Sequence, residues 1–458
     1  MARWGPERRR VWGWMLYDVA QQPYATLGLT FVFGPFFAQV AAARFAAEGA
    51  AAPEAAAQAL WGWSQTLAGL AIALLGPLVG LVADRTGRVL PLVVLFSALY
   101  VPCAWALWWL RPDGSNLYAI LLLFWVGFAA GEAALNLNNA QLPDVAAPGE
   151  VGRVSGSGAA AGYWGGVVAL ALVLLLLVDN PAGTTLLGNP PAFGLDGASF
   201  EGTRAVGPFI ALWMVVFLVP HALWTRDASR PPPRPRLRLL PGLVASLRDV
   251  GRRPSLLSFL LSSMLARDGL GALYAFGGVY ATLVLGWGVI TVGLFGIVAA
   301  VAAAVLTWAG GLADRRWGPR PVVAVSCVVL LLVCTVVIGV SRTSFFGWAF
   351  PTATAIPDIL FFGCGALIGG AGGALYAASR TLMARHAEPG RAGEAFGLFA
   401  LSGKATAFLA PALVAGATAA TGSVQWGFAP VIVLFMGALL LLGRVRPEGD
   451  RVVGPPLA

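Results

Sequence analysis

The chain has 458 residues, of which 58% are hydrophobic and 11% charged, and it carries a formal net charge of +9. That balance leaves too little polar surface to clothe a water-soluble globule, so the composition excludes a soluble enzyme or binding domain and implies a chain folded in a bilayer. The excess of positive charge also has to be explained.

The opening stretch, Met1 to Arg10 followed by apolar residues, superficially resembles a signal peptide. The apolar stretch is too long for one and contains Asp18, Gln21 and Gln22, so it reads as an uncleaved first helix. Runs of membrane-spanning length are expected at 12–40, 61–83, 89–110, 117–141, 155–178 and 205–225. Six more fall at 255–284, 289–312, 320–341, 356–382, 394–420 and 425–443. The reading is an all-α membrane protein of twelve transmembrane helices.

With a cytoplasmic N-terminus, one side of the membrane receives 24 arginines and the other four. A split of that size is a positive-inside signal and puts both termini in the cytoplasm. Topology then explains the net charge, and no nucleic-acid partner is needed. Cys103, Cys327, Cys334 and Cys364 are scattered among the apolar runs and His221 and His386 stand far apart, so neither disulfides, a metal site nor a cofactor is expected.

Residues 226–254 divide the chain into an N-terminal part, 1–225, and a C-terminal part, 255–458. This connector carries eight arginines between Arg226 and Arg253. Its Arg230–Arg236 core, rich in arginine and proline, is stiff and cationic, and Leu239–Val250 has the pattern of a short amphipathic helix. The reading stays open between an ordinary linker and a segment lying on the anionic lipid surface.

The two parts repeat. Gly80-Leu-Val-Ala-Asp84-Arg85-Thr-Gly87-Arg88 follows the second run, and Gly310-Gly-Leu-Ala-Asp314-Arg315-Arg-Trp-Gly318-Pro-Arg320 follows the eighth. The first glycine of each permits close helix approach, and each aspartate stands at a helix end where it can pair with arginine and cap backbone N–H groups. Two such turns, half a chain apart, resemble the loop signature of the major facilitator superfamily. The resemblance covers nearly the whole chain and implies two six-helix bundles with a cavity between them, working as a monomer.

Further stretches resemble the branch of that superfamily that includes the yeast vacuolar amino-acid effluxer. They are Leu16-Tyr17-Asp18 with Tyr24 and Thr26, Asn139 to Asp144 followed by Arg153-Val-Ser155-Gly156, Asp268-Gly269, Ser379-Arg380 with Arg385, and Leu401-Ser402-Gly403-Lys404-Ala-Thr406. The chain departs from the usual pattern at Gln21-Gln22 and at Arg267, where small, Asn or neutral polar residues are typical. By this resemblance Arg380 and Arg385 belong with Asp144 and Arg153 to a cytoplasmic gate.

Charged residues inside apolar runs are the functional candidates. Lys404, the only lysine in the chain, lies in such a run, where an ionisable group costs about 2.5–3.5 kcal/mol. Asp18, about 9 Å into the first helix, and Glu132, about 14 Å into the antiparallel fourth, lie at similar depth. Asp18 reads as a cation site, a proton-coupling carboxylate or a helix-start residue capping backbone, and Glu132 as a proton carrier or a hydrogen-bonded packing residue. Arg267 and Asp268 point about 100° apart around their helix, and Asp268 lies within about 5 Å of the depth of Lys404, which suggests an ion pair. Gln21, Gln22, Tyr24 and Asn139 are further cavity candidates. The expectation is a secondary transporter of a small polar solute, such as an amino acid in efflux, with protons as the candidate coupling ion and a bacterial inner membrane as its place. A broad drug or metabolite exporter and a non-transporting assembly factor or sensor on the same fold are the alternatives.

Overall fold

The computed structural model describes residues 5–178, 183–227, 239–287, 289–351 and 354–450. The Arg230–Arg236 core of the connector lies outside the described residues. The helices in chain order are α1 (Pro6–Pro23), α2 (Phe33–Ala47), α3 (Pro53–Thr86), α4 (Leu90–Trp105), α5 (Leu117–Ala140), α6 (Leu142–Val145), α7 (Val151–Leu176), α8 (Glu201–Arg204) and α9 (Val206–Trp224). They continue with α10 (Leu239–Arg252), α11 (Pro254–Leu285), α12 (Val289–Trp317), α13 (Pro319–Gly339), α14 (Ile356–His386), α15 (Ala392–Ser402), α16 (Leu409–Thr421) and α17 (Ala429–Leu442). A small antiparallel hairpin, β1 (Ser344–Phe345) with β2 (Trp348–Ala349), sits in the α13–α14 connection.

Among the described residues, ten helical segments are long and apolar enough to cross a membrane, and shorter apolar helices follow at 392–402, 409–421 and 426–442. One difference from the sequence reading is informative. The run 394–420, expected as a single helix, is the pair α15 and α16, separated by turns over residues 403–408.

The first span is also irregular. Between α1 and α2 the backbone widens into a π-helical stretch, Tyr24–Phe31. Pro23 has no N–H to offer the carbonyl of Val19, four residues earlier. The Trp213 indole N–H of α9 donates to that carbonyl instead, at 2.9 Å. A wide turn beside a proline is one way for a buried helix to keep its remaining backbone groups paired.

Two compact units emerge from the packing. The first is formed by Met1–Leu75, Arg88–Asn138 and Ala161–Arg230, the second by Gly76–Gly87, Asn139–Ala160 and Pro231–Ala458. Each has an aromatic core. In the first, Phe33 stacks on Phe124 at 5.6 Å and Trp61 packs on Phe124 and Trp125 at 5.2 and 5.4 Å. In the second, Phe361 stacks on Tyr280 and Phe295 at 5.3 and 5.1 Å, with the Trp287 ring edge-on at 5.4 Å. Each such ring pair adds about 0.5–1.5 kcal/mol to the area it buries.

Two acidic residues cap helices from a distance in sequence. Asp227 accepts from the N–H groups of Val89 and Leu90 at the start of α4, at 3.1 and 2.8 Å. Asp450, in the C-terminal tail, does the same for Ser255 and Leu256 of α11, at 2.9 and 3.0 Å. A carboxylate at a helix N-terminus satisfies orphan donors and opposes the helix dipole.

Candidate functional site

The break between α15 and α16 lies beside the charged pair Arg267 and Asp268 of α11. Arg267, on α11, donates to the Phe399 carbonyl at 3.1 Å and lies over the Phe399 ring, 4.9 Å from its centroid. That carbonyl belongs to the last turn of α15, so the guanidinium caps the helix where a cation is favoured. Gly403 is the residue that makes this possible: a Cβ there would fall on the guanidinium carbon. Asp268 is buried, follows Arg267 on α11 and has Thr406 of the break beside its carboxyl. Its Oδ2 and the Thr406 Oγ1 have no hydrogen-bond partner. Lys404 lies half-buried in the same turns, next to Gly403. Irregular backbone at membrane depth is tolerated where it is enclosed by protein or lines a cavity, and here it carries the Lys404 ammonium, with the guanidinium and carboxyl on the neighbouring α11.

In the first unit, Asp18 and Gln21 are buried on α1. α7 presses on this helix with its smallest residues. A Cβ on Gly162 would lie 3.1 Å from the Asp18 carbonyl oxygen, one on Gly165 2.9 Å from Val19 Cγ1, and one on Gly166 2.7 Å from Thr26 Oγ1. Gln22 donates to that same Thr26 hydroxyl at 3.4 Å. Glu132 is half-buried on α5, and the hydroxyl of the buried Tyr17, next to Asp18, lies 3.0 Å from Ser97 Oγ. Tyr24 is placed differently. Its hydroxyl donates to the Phe124 carbonyl at 2.6 Å and its ring is fully buried, 4.8 Å from that of Tyr100, so it is a core residue.

The two Gly-x-x-x-Asp-Arg turns lie in the second unit, each beside a helix crossing. At the first, α3 crosses α15 glycine on glycine. A Cβ on Gly80 would strike the Gly393 carbonyl, and one on Gly397 would lie 2.6 Å from the Gly76 carbonyl oxygen. Asp84 then caps α15, accepting from Gly393 N–H at 2.9 Å and Glu394 N–H at 2.6 Å. Gly87 ends α3 with φ +66°, and exposed Arg88 follows it. Arg85 and Leu81 face Gly242 of α10.

At the second turn, α12 crosses α7. Gly156 and Gly311 meet backbone to backbone, the position of a Cβ on Gly311 being 2.8 Å from Gly156 Cα, while Gly310 packs on Ala374 of α14. Asp314 is aimed at Gly152, in the first turn of α7, but both of its carboxyl oxygens are buried without a hydrogen-bond partner. The holding is done by Arg380, which is fully buried. It donates to Ser155 Oγ at 3.2 Å, to the Ser155 carbonyl at 2.5 Å and to Asn139 Oδ1 at 3.0 Å. Ser155 in turn donates to the Ala377 carbonyl at 2.7 Å. Asn139, read from sequence as a cavity residue, thus takes part in this crossing.

An ion-pair layer surrounds these turns. Arg315 pairs with Glu150 at 2.7 Å, and Arg153 pairs with the same carboxylate. Arg385 pairs with Glu448 of the tail at 3.2 Å, and Arg320, following Gly318 (φ +85°), donates to the Gly443 carbonyl at 2.8 Å. Asp144 is exposed on α6. Arg391 meets Glu394 at 2.8 Å, Glu388 at 2.7 Å and Asp249 of α10 at 3.5 Å. The Glu394 carboxylate, then that of Glu388, holds the Arg391 guanidinium well above its ordinary value. Sequence reasoning missed the capping residues Asp227 and Asp450, the roles of Ser155 and Gly403, and the Arg391 cluster. The Gly-x-x-x-Gly spacings 76/80, 152/156 and 393/397 were the available signal for the crossings.

The fold defines the class. The chain superposes on the human organic anion transporter MFSD10 with a TM-score of 0.69, covering 96% of this chain and 100% of that one at 17% identity. It is an integral membrane protein with the major facilitator fold. In sequence it is 25% identical to the MFS-type transporter YxiO of Bacillus subtilis over 439 residues, 95% of this chain and 94% of that one. It is also 25% identical to autophagy-related protein 22 of Cryptococcus neoformans over 310 residues, 65% of this chain and about half (51%) of that protein. Residues 148–451 match the family described as Vacuole effluxer Atg22 like. The chain belongs to that family of major facilitator transporters, and is not an enzyme.

Proposed function

We propose that this transporter moves a small zwitterionic solute, of the amino-acid class, outward by alternating access without ATP. The observation that supports the reading is the broken helix at residues 403–408, which contains Lys404 and Thr406 and meets Arg267 at Gly403. A zwitterion complements this set: its carboxylate suits Lys404 and Arg267, and its ammonium suits Asp268 Oδ2 and Thr406 Oγ1, two buried polar atoms without a partner. An unsatisfied buried polar atom costs about 1–3 kcal/mol, which a fitting ligand recovers. Asp18, Gln21, Gln22 and Glu132 are the corresponding candidates of the N-terminal part, and Asp18, Glu132 and Asp268 are the candidate proton carriers.

The architecture of the proposal is two six-helix bundles, 1–225 and 255–458, joined by the connector 226–254. Both termini and the arginine-rich turns are cytoplasmic by the positive-inside rule, the membrane is the inner membrane of a bacterium, and the protein works as a monomer. The Asp84 and Asp314 turns, with Arg380 and Arg385, form the cytoplasmic gate.

The test is thermal stabilisation of the purified protein against amino acids, peptides, sugars and nucleosides, followed by flux of any hit in proteoliposomes. A hit at 100 times its Kd raises stability by about 2.7 kcal/mol. Loss of that shift in Lys404→Ala, with the fold intact, ties solute to site; an unchanged shift removes Lys404 from it. Proton coupling fails if flux neither moves protons nor responds to an imposed pH gradient.

A further inference from the structure

α10 has two unlike faces. Gly242, Ser246 and Val250 are buried, Gly242 lying against Leu81 of α3. Asp249 reaches Arg391 at 3.5 Å, beside the Asp84 cap of α15. On the opposite side Val244 and Leu247 are 54% and 47% exposed, and Arg248 and Arg252 are exposed with them. Residues 244, 247, 248 and 251 share one stripe of a helix.

The position of α10 names what covers that stripe. It ends at Arg252, and α11, a membrane span, begins at Pro254, so the helix is tethered to a membrane entry point by one residue. Its inner face touches α3 little more than one turn before that span ends at Thr86. Both constraints hold α10 at the level of the lipid headgroups. The connector around it has eight arginines against two acids, Asp227 and Asp249. A helix with an apolar stripe flanked by arginine lies in the plane of an anionic interface.

We propose that the outer face of α10 seats on the anionic cytoplasmic leaflet, Val244 and Leu247 entering the acyl boundary and Arg248 and Arg252 meeting lipid phosphates. Through Asp249 and Arg391, this contact steadies the α3–α15 crossing. The inference rests on the proposed membrane orientation but not on the solute.

The experiment uses the full chain in nanodiscs. The four native cysteines are buried, so Leu247→Cys, labelled with an environment-sensitive fluorophore, reports one site. Glu448→Cys, whose side chain is 72% exposed in the tail, is the reference. Brominated acyl chains should quench the label at 247 at least about threefold more than at 448, as expected for a side chain in the acyl boundary. Phosphatidylglycerol should strengthen the quenching over phosphatidylcholine alone, and Arg248→Gln with Arg252→Gln should abolish that dependence. Equal quenching at the two positions, the result for a face turned to water or covered by a protein, overturns the proposal. Quenching that ignores lipid charge overturns its anionic part. Labelling of Glu448→Cys in intact cells by an impermeant thiol reagent reports the orientation separately: reaction from outside sinks the orientation reading, whatever the quenching shows.

Discussion

The two repeated turns carry almost the same motif and hold their helix crossings in different ways. At the first, the Asp84 carboxylate accepts two N–H bonds from the start of α15. At the second, Asp314 is more deeply buried and has no such donors, and the Arg380 guanidinium supplies the hydrogen bonds from the neighbouring helix. A motif repeated in sequence has become a cap in one place and a buried carboxyl beside an arginine clamp in the other. The lesson is physical: a carboxylate stabilises where donors converge on it, and costs free energy where they do not.

That contrast can be broken from either side. The largest effect is expected from Arg380→Met, which leaves Asn139 Oδ1 and the Ser155 carbonyl without this donor. Each orphaned acceptor costs about 1–3 kcal/mol, so denaturant unfolding should report a loss of several kcal/mol. Next comes Gly80→Val. Its branched side chain meets the Gly393 backbone, and overpacking of this kind costs about 1–3 kcal/mol. Flux through proteoliposomes should fall with it, and a wild-type rate would show that the α3–α15 crossing is not used in the cycle.

Asp84→Ala removes a helix cap and should cost about 1–2 kcal/mol, read as a drop in thermal stability. Asp314→Asn is expected to fall within about 0.5 kcal/mol of the parent or to stabilise it, because no backbone N–H is capped by it and the Thr381 hydroxyl beside it can still donate to an amide oxygen. Equal losses at the two aspartates would erase the distinction drawn between them. The smallest effect concerns pH. A base whose folded pKa is raised contributes stability that is fully present below its unfolded value and is lost only as pH rises through the folded one. For Arg391 both values lie far above the neutral range. The stability difference between the parent and Arg391→Gln should therefore stay constant from about pH 7 to pH 10. A decline across that range would assign the raised pKa to the wrong partner.

Much of this molecule was legible in order along the chain. Apolar runs such as 117–141 and 320–341 correspond to α5 and α13 because a helix must satisfy its own backbone in lipid, and length and hydropathy suffice to mark it. The amphipathic pattern at Leu239–Val250 corresponds to α10 for the same local reason. The run 394–420 misled, since hydropathy does not register a helix that ends inside it. Gly403 was the local hint, but its meaning depends on Arg267, more than a hundred residues away. Tyr24 and Asn139 looked like cavity residues on polarity alone, and their partners, the Phe124 carbonyl and Arg380, are long-range.

By itself, the sequence determined that this protein is a helical membrane protein with repeated glycine–aspartate turns and a lone lysine in an oily run. Those properties are written in composition, period and spacing, which act over a few turns of one helix. The tertiary structure alone decided that the lysine sits in a helix break beside Arg267, that Asp84 caps a helix and that Asp314 does not. Each of these depends on which donors and carbonyls from distant segments converge on a side chain, and that convergence is a property of packing.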